Sequence, residues 1–128
     1  MCGIAGIVRR GRAGVAPATL ARMARAIHHR GPDGYGFYAG ARAGFAHVRL
    51  SIVDLGGGAQ PMTNEDGRWV VTYNGEVYNH VELRTELEAR GHVFRSHCDT
   101  EVLLHGWEEW GHDLLSRLNG QFAFALWD

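Results

Sequence analysis

Gly34-Tyr35-Gly36-Phe37-Tyr38-Ala39-Gly40-Ala41-Arg42-Ala43-Gly44-Phe45-Ala46-His47-Val48-Arg49-Leu50-Ser51-Ile52 is the stretch that sets the fold class. Residues 35–38 and 45–52 read as strands, and the Gly/Ala/Arg run between them leaves room for a turn but not for a helix. Working outward, the same kind of connection recurs. Residues 2–8 form a short apolar run ended by charge, read as a buried strand. Residues 69–73 are rich in Val and aromatics and read as a strand closed by a turn at Asn74-Gly75. Residues 93–94 suggest a short strand, and residues 122–127 alternate bulky and small side chains as a buried or half-buried strand does.

Helices are expected at four places. From Pro17, apolar Leu20, Met23, Ala24 and Ile27 recur at helical spacing and stop before Gly31-Pro32. A second helix covers residues 79–90 and ends at Gly91. A third follows Asp99 as N-cap, with Val102, Leu103, Leu104 and Trp107 on its buried side. Leu114, Leu115 and Leu118 make a short fourth. Strands joined mostly by turns rather than by alternating helices point to an antiparallel α+β layer fold.

The chain has 128 residues, 45% hydrophobic and 21% charged, which fits one globular domain and argues against disorder. Net charge is −1 and the basic residues are scattered, so no nucleic-acid-binding face is expected. No apolar run nears the ~20 residues of a membrane span, and no secretory core precedes Cys2, so a soluble, cytoplasmic protein is expected. Cys2 and Cys98 are then free thiols rather than a bridge. No histidine spacing matches a zinc signature and no metal is expected. Gly56-Gly57-Gly58 lacks the Lys-Ser/Thr of a phosphate loop.

Cys2 is the first chemical candidate. Met1 before a small residue is readily removed, leaving Cys2 with a free α-amine of ordinary pKa about 7.7–8.0. Such an amine accepts the proton of its own thiol, the arrangement of N-terminal nucleophiles. Taken alone, a cysteine in a short apolar strand is more often a buried, inert thiol.

The surrounding motifs change that balance. Met1-Cys2-Gly3-Ile4-Ala5-Gly6 resembles the start of class II (N-terminal nucleophile) glutamine amidotransferases. His29-Arg30-Gly31-Pro32-Asp33-Gly34 and Arg49-Leu50-Ser51-Ile52-Val53-Asp54-Leu55 resemble segments of the glutamine-hydrolysing asparagine synthetase branch. Gln60-Pro61-Met62, the Tyr73–Asn79 segment, Asp99-Thr100-Glu101 and the Gly120–Asp128 segment follow in that family's order. The resemblance runs along the whole chain.

It implies an αββα sandwich of two antiparallel sheets between helices, C-terminally incomplete, with residues 1–128 as a truncated glutaminase domain. It implies hydrolysis of glutamine to glutamate and ammonia through a Cys2 thioester, with Asn74 and Gly75 as the oxyanion hole. Glutamine would lie against Arg49, Glu76 and Asp99, with backbone of Leu50, Ile52 and Val53 beside it. Arg49 suits the α-carboxylate, because its planar fork binds carboxylates bidentately. Glu76 and Asp99 suit the α-ammonium, although Asp99 also reads as a helix cap and Asn74-Gly75 as a hairpin turn. The ammonia would feed an ATP- and Mg²⁺-dependent synthetase domain downstream that amidates aspartate; no cofactor is expected within residues 1–128. A homodimer stays open. Two alternatives remain: a glutaminase serving another ammonia acceptor, and a non-catalytic truncated binding module.

Overall fold

β3 (Ala43–Arg49) is buried along almost its whole length, which places it at the centre of its sheet. The computed structural model describes residues 2–51 and 58–128. β1 (Gly3–Val8) and β2 (Gly34–Ala39) flank β3, both antiparallel, in the order β1-β3-β2. A second antiparallel sheet has the order β4-β5-β6, from β4 (Met62–Thr63), β5 (Val70–Val77) and β6 (Gly120–Trp127).

The two faces of β3 explain how the layers assemble, since successive strand side chains point to opposite sides. Ala46 and Val48 face α1 (Pro17–Ala26), packing with Val15, Leu20 and Ala24. Ala43 and Phe45 face the other way and meet Val70 of β5, with Tyr38, Ala125 and Trp127 around them, so the sheets stack face to face. On the far side of the second sheet, Val71, Tyr73 and Val77 pack against α2 (His80–Ala89) and α3 (Thr100–Trp110) through Leu83, Leu87, Val102, Leu103 and Leu104. The layers run helix, sheet, sheet, helices: the expected αββα sandwich. Burying each of these aliphatic side chains stabilises the fold by about 1.5–3 kcal/mol.

Local signals mostly place the elements as the sequence suggests. α1 opens with Pro17, whose fixed φ suits a first helical turn. α2 gives way at Arg90 to Gly91, whose φ of 99° is left-handed and free of cost only for glycine. The short α4 (Leu114–Arg117) buries Leu114 and leaves Leu115 exposed. Among the described residues no helix is long and apolar enough to cross a membrane.

Four expectations are corrected. Asn74-Gly75 is not a turn: both lie inside β5, opposite Ala123 and Phe122 of β6, because the long apolar run of β6 gives that part of β5 a partner. Residues 93–94 form no strand; the 91–99 segment is irregular and is held instead by the carboxylate of Glu101, which accepts from Arg95 N, Ser96 N and Ser96 Oγ. The strand expected over 45–52 starts earlier and ends at Arg49. Asp99 occupies the N-cap position of α3 but makes no capping hydrogen bond, for a reason that belongs to the site.

Candidate active site

Strand alternation decides which side chains enter the space between the sheets. On β3 the inter-sheet face carries Ala43 and Phe45 and then, two and four residues on, His47 and Arg49. Cys2 stands one residue ahead of β1, in phase with Ile4, which pairs opposite His47. On β5 the face of Val70 continues to Thr72, Asn74 and Glu76. Cys2, His47, Arg49, Asn74 and Glu76 thus converge at one end of the sandwich. They line a cavity of about 150 Å³ completed by Leu50, Gln60, Tyr73, Gly75, Cys98, Asp99, Thr100 and Gln121, among others.

The Cys2 sulfur is half-buried and fixed by backbone. It accepts from Leu50 N at 3.3 Å, and its thiol lies 3.6 Å from Leu50 O. The Cys2 carbonyl accepts from Arg30 Nε at 3.1 Å. The end of β3 is clamped from the same side: Asp33 N donates to Arg49 O at 2.9 Å, and the Asp33 carboxylate accepts from Ser51 N at 2.8 Å. The His29–Gly34 segment therefore works as a bracket that sets Cys2 against residues 49–51.

Asp99 explains its missing cap. Its Oδ2 accepts from the Tyr73 hydroxyl at 2.6 Å and from Val77 N at 2.9 Å, so one oxygen is committed to β5, while no hydrogen bond to the other is seen among the described residues. Burial, and then the hydrogen bond to Asp99, push the Tyr73 hydroxyl pKa far upward, so Tyr73 stays a donor. Gln60 makes a parallel bridge: its Oε1 accepts from Tyr73 N at 2.6 Å and its Nε2 donates to Thr100 Oγ1 at 3.2 Å.

These bridges expose a feature of β5. The N–H groups of Tyr73 and Val77 both point away from β6, to Gln60 and Asp99. Period-two alternation turns the Gly75 N–H to that same edge, between them. β4 pairs only with Val70 and Val71, so this edge of β5 is left to the cavity. Beside it, Asn74 Oδ1 is buried without a hydrogen-bond partner among the described residues. A buried amide oxygen without a partner suits a polar ligand. Glycine is required at 75 by close approach: an added Cβ would run into Gln121 O and stand 2.6 Å from Phe122 Cα.

His47 is 1% exposed, and burial lowers its pKa to about 4; a hydrogen bond to the Tyr73 backbone opposes the shift and the Arg49 charge adds to it. It is neutral at pH 7, and its Nε2 has no partner among the described residues.

Of the residues singled out from sequence, Cys2, Arg49, Leu50, Asn74, Gly75, Glu76 and Asp99 all line this cavity. Ile52 and Val53 lie outside the described residues. Sequence reading did not assign roles to Arg30, His47, Gln60, Tyr73 or Thr100. The signal for His47 was its place two residues from Arg49 on one strand; for Gln60, Tyr73 and Thr100 it was membership of the quoted motifs. Cys98, expected to be a free thiol, is buried and borders the cavity, with Ser96 Oγ 3.0 Å from its sulfur.

Comparison with known proteins bears on this arrangement. Residues 1–128 match the family described as the glutamine amidotransferase domain. The chain is 46% identical over its whole length to glutamine-hydrolyzing asparagine synthetase 3 of Bacillus subtilis, covering 21% of that protein. It is 47% identical over 106 residues to glutamine-hydrolyzing asparagine synthetase B of Escherichia coli, matching 83% of this chain and 19% of that protein. The chain thus spans about a fifth of the length of the curated relatives it matches. In fold it is similar to a glutamine phosphoribosylpyrophosphate amidotransferase from B. subtilis, with a TM-score of 0.75 at 22% identity, over 98% of this chain and 35% of that one. A structure described as the allosteric regulatory enzyme of purine biosynthesis superposes with a TM-score of 0.77 at 24% identity, with the same coverage. On the family match along its full length and on these identities, the chain belongs to the glutamine amidotransferase domain family.

Proposed function

We propose that this chain hydrolyses the side-chain amide of glutamine, with Cys2 as nucleophile, and that the ammonia serves ATP-dependent conversion of aspartate to asparagine by a domain further along the polypeptide. The observation that carries the first half is the single cavity in which Cys2, the free edge of β5 at Gly75, Asn74, Arg49 and Asp99 meet.

The chemistry follows from the groups present. Removal of Met1 leaves the Cys2 α-amine, which takes the thiol proton as sulfur attacks the amide carbon. The carbonyl oxygen becomes an oxyanion received by the Asn74 amide and the Gly75 N–H; one such donor contributes about 3–4 kcal/mol. The amine then gives its proton to the leaving nitrogen, releasing ammonia and a γ-glutamyl thioester. Water attacks the thioester, its proton goes to the amine, and glutamate departs with the thiol restored. Arg49 holds the α-carboxylate through its fork, and Glu76 with the uncommitted oxygen of Asp99 holds the α-ammonium. Leu50 backbone flanks the substrate, as Ile52 and Val53 would.

Aspartate as final acceptor rests on the names of the relatives, and the synthetase domain would lie in the part of them that this chain does not match. The described residues of this cavity do not fit magnesium-ATP: they offer two carboxylates and one guanidinium but no lysine at a glycine-rich phosphate loop. No step here runs through ATP.

The test has two readouts on the full-length enzyme. Intact mass should show Met1 absent, and Cys2→Ala should abolish glutamine-dependent asparagine formation while ammonia still supports it. Retained Met1 in an active enzyme, or undiminished glutamine use by Cys2→Ala, would overturn the mechanism. Glutamine hydrolysis without asparagine formation would overturn the acceptor alone.

A further inference from the structure

Three side chains outside the cavity converge where the segment after α2 crosses α3. His92 Nδ1 lies 3.3 Å from His105 Nδ1, and His105 Nδ1 lies 3.3 Å from Glu108 Oε2. Glu108 Oε2 and His92 Nδ1 close the triangle at 3.9 Å. Ligands held about 2.0–2.1 Å from a tetrahedral zinc ion stand about 3.4 Å from one another. The triangle is close to one face of that tetrahedron.

Two of the three are held from behind by hydrogen bonds, and the third is packed beside carboxylates. His92 Nε2 faces Glu109 Oε2 at 3.2 Å. Glu108 Oε1 accepts from Asn64 Nδ2 at 2.6 Å. His105 is 2% exposed, and its Nε2 lies 3.5 Å from a carboxylate oxygen of both Glu101 and Glu65 without a hydrogen bond to either, so a proton there would face these two acids at a distance. Backing a ligand imidazole with a carboxylate is how metal sites fix tautomer and ring angle. With both Nε2 atoms protonated toward those carboxylates, the two Nδ1 atoms and Glu108 Oε2 aim three lone pairs at one point. Lone pairs repel, so that point calls for a cation.

We propose that His92, His105 and Glu108 bind a divalent transition-metal ion of the zinc class, leaving a fourth position for water. Two imidazoles and one carboxylate select zinc over magnesium or calcium, which prefer all-oxygen shells. The ion would pin the start of the irregular 91–99 segment to α3. Glu101, beside His105, already holds the middle of that segment, and the segment's end supplies Cys98 and Asp99 to the cavity. The site therefore fastens a wall of the cavity without touching the reaction.

The competing occupant is a proton, shared as an imidazolium among the surrounding carboxylates, and zinc titration separates the two. Metal-free protein in a Cys2→Ser background, which removes the competing half-buried thiol of the cavity, is titrated with zinc chloride by calorimetry. One equivalent should bind at micromolar concentration or below and raise the melting temperature. His92→Gln and Glu108→Gln, both at partly exposed positions and so compatible with folding, should each weaken binding at least tenfold while circular dichroism is unchanged. Cobalt(II) in place of zinc should give tetrahedral d–d bands with no thiolate charge-transfer band. No binding below millimolar zinc, equal binding by the two variants, or a thiolate band from Cys98 would overturn the proposal.

Discussion

Replacing Asp99 with Asn separates the two duties that the structure gives this residue. One oxygen, Oδ2, accepts from both the Tyr73 hydroxyl and Val77 N. An Asn carbonyl can accept the same two bonds, so geometry survives and only the charge is lost. Charge-assisted hydrogen bonds contribute about 1.5–3 kcal/mol against about 0.5–1.5 for neutral ones, so two bonds lose about 2 kcal/mol together. For a domain of this size that is about 6–10 °C in melting temperature. The other oxygen is the proposed partner of the glutamine ammonium. Losing that ion pair should cost about 1.4–3 kcal/mol of binding, a rise in KM of about 10- to 100-fold. The ammonium sits at the opposite end of glutamine from the amide, so kcat should stay within about threefold. Steady-state glutaminase kinetics with a thermal melt on the same preparation read both effects. A melt that falls as calculated with KM unmoved would show that Asp99 only braces β5 against α3, and the substrate role would be withdrawn.

Other outcomes follow from the same geometry. Asn74→Ala should lower kcat by about 10²–10³ with a melting temperature within a few degrees of wild type; an equal loss in binding alone would remove Asn74 from the oxyanion hole. Arg49→Lys keeps charge but not the fork, and should raise KM about tenfold with kcat little changed, which an unaltered KM would contradict. His47 gives a pH dependence of stability. Burial first, with the Arg49 charge adding, holds its folded pKa near 4, below the unfolded 6.5, so the unfolded chain binds more protons between those values. Stability should therefore fall on acidification from about pH 6.5 to 4, by up to about 3 kcal/mol, and His47→Gln should flatten that part of the melt-against-pH curve. Parallel curves for the two proteins would refute it.

How much of this could be read from residues alone varies with the physics involved. The antiparallel layer class was legible because strands follow one another through short turns, whereas the αββα sandwich came with the family resemblance; the stacking shows in Phe45 and Val48 taking opposite faces of β3. Gly91 and Pro17 marked helix ends through their own backbone restrictions. Asn74-Gly75 misled because the dipeptide is a strong local hairpin signal, whereas its place in β5 is settled by pairing with Phe122 and Ala123, about fifty residues away. Residues 93–94 misled in the same way: their apolar side chains fit a strand, but no strand among the described residues pairs with them.

Asp99 was legible as a residue of interest but not in its role, since a carboxylate before a helix reads as a cap until Tyr73 and Val77 are seen to claim it. His47 carried no motif and Gln60 a family motif without a role; alternation on β3 and the bridge to Tyr73 brought them to the cavity of Cys2. The His92–His105–Glu108 triangle was illegible for a related reason. Its first member sits thirteen residues before the second, on an irregular segment whose course no local signal predicts.

The claim on which the account rests is that the Cys2 sulfur forms a bond to glutamine. The direct measurement is to mix the protein, freed of Met1, with glutamine, quench in acid within the turnover time, and map the product by mass spectrometry. The account predicts a γ-glutamyl adduct on the N-terminal peptide at Cys2, hydroxylamine-labile as thioesters are, and absent from Cys2→Ala. Ammonia release with no adduct on Cys2, or an adduct on Cys98 that persists in Cys2→Ala, would contradict it.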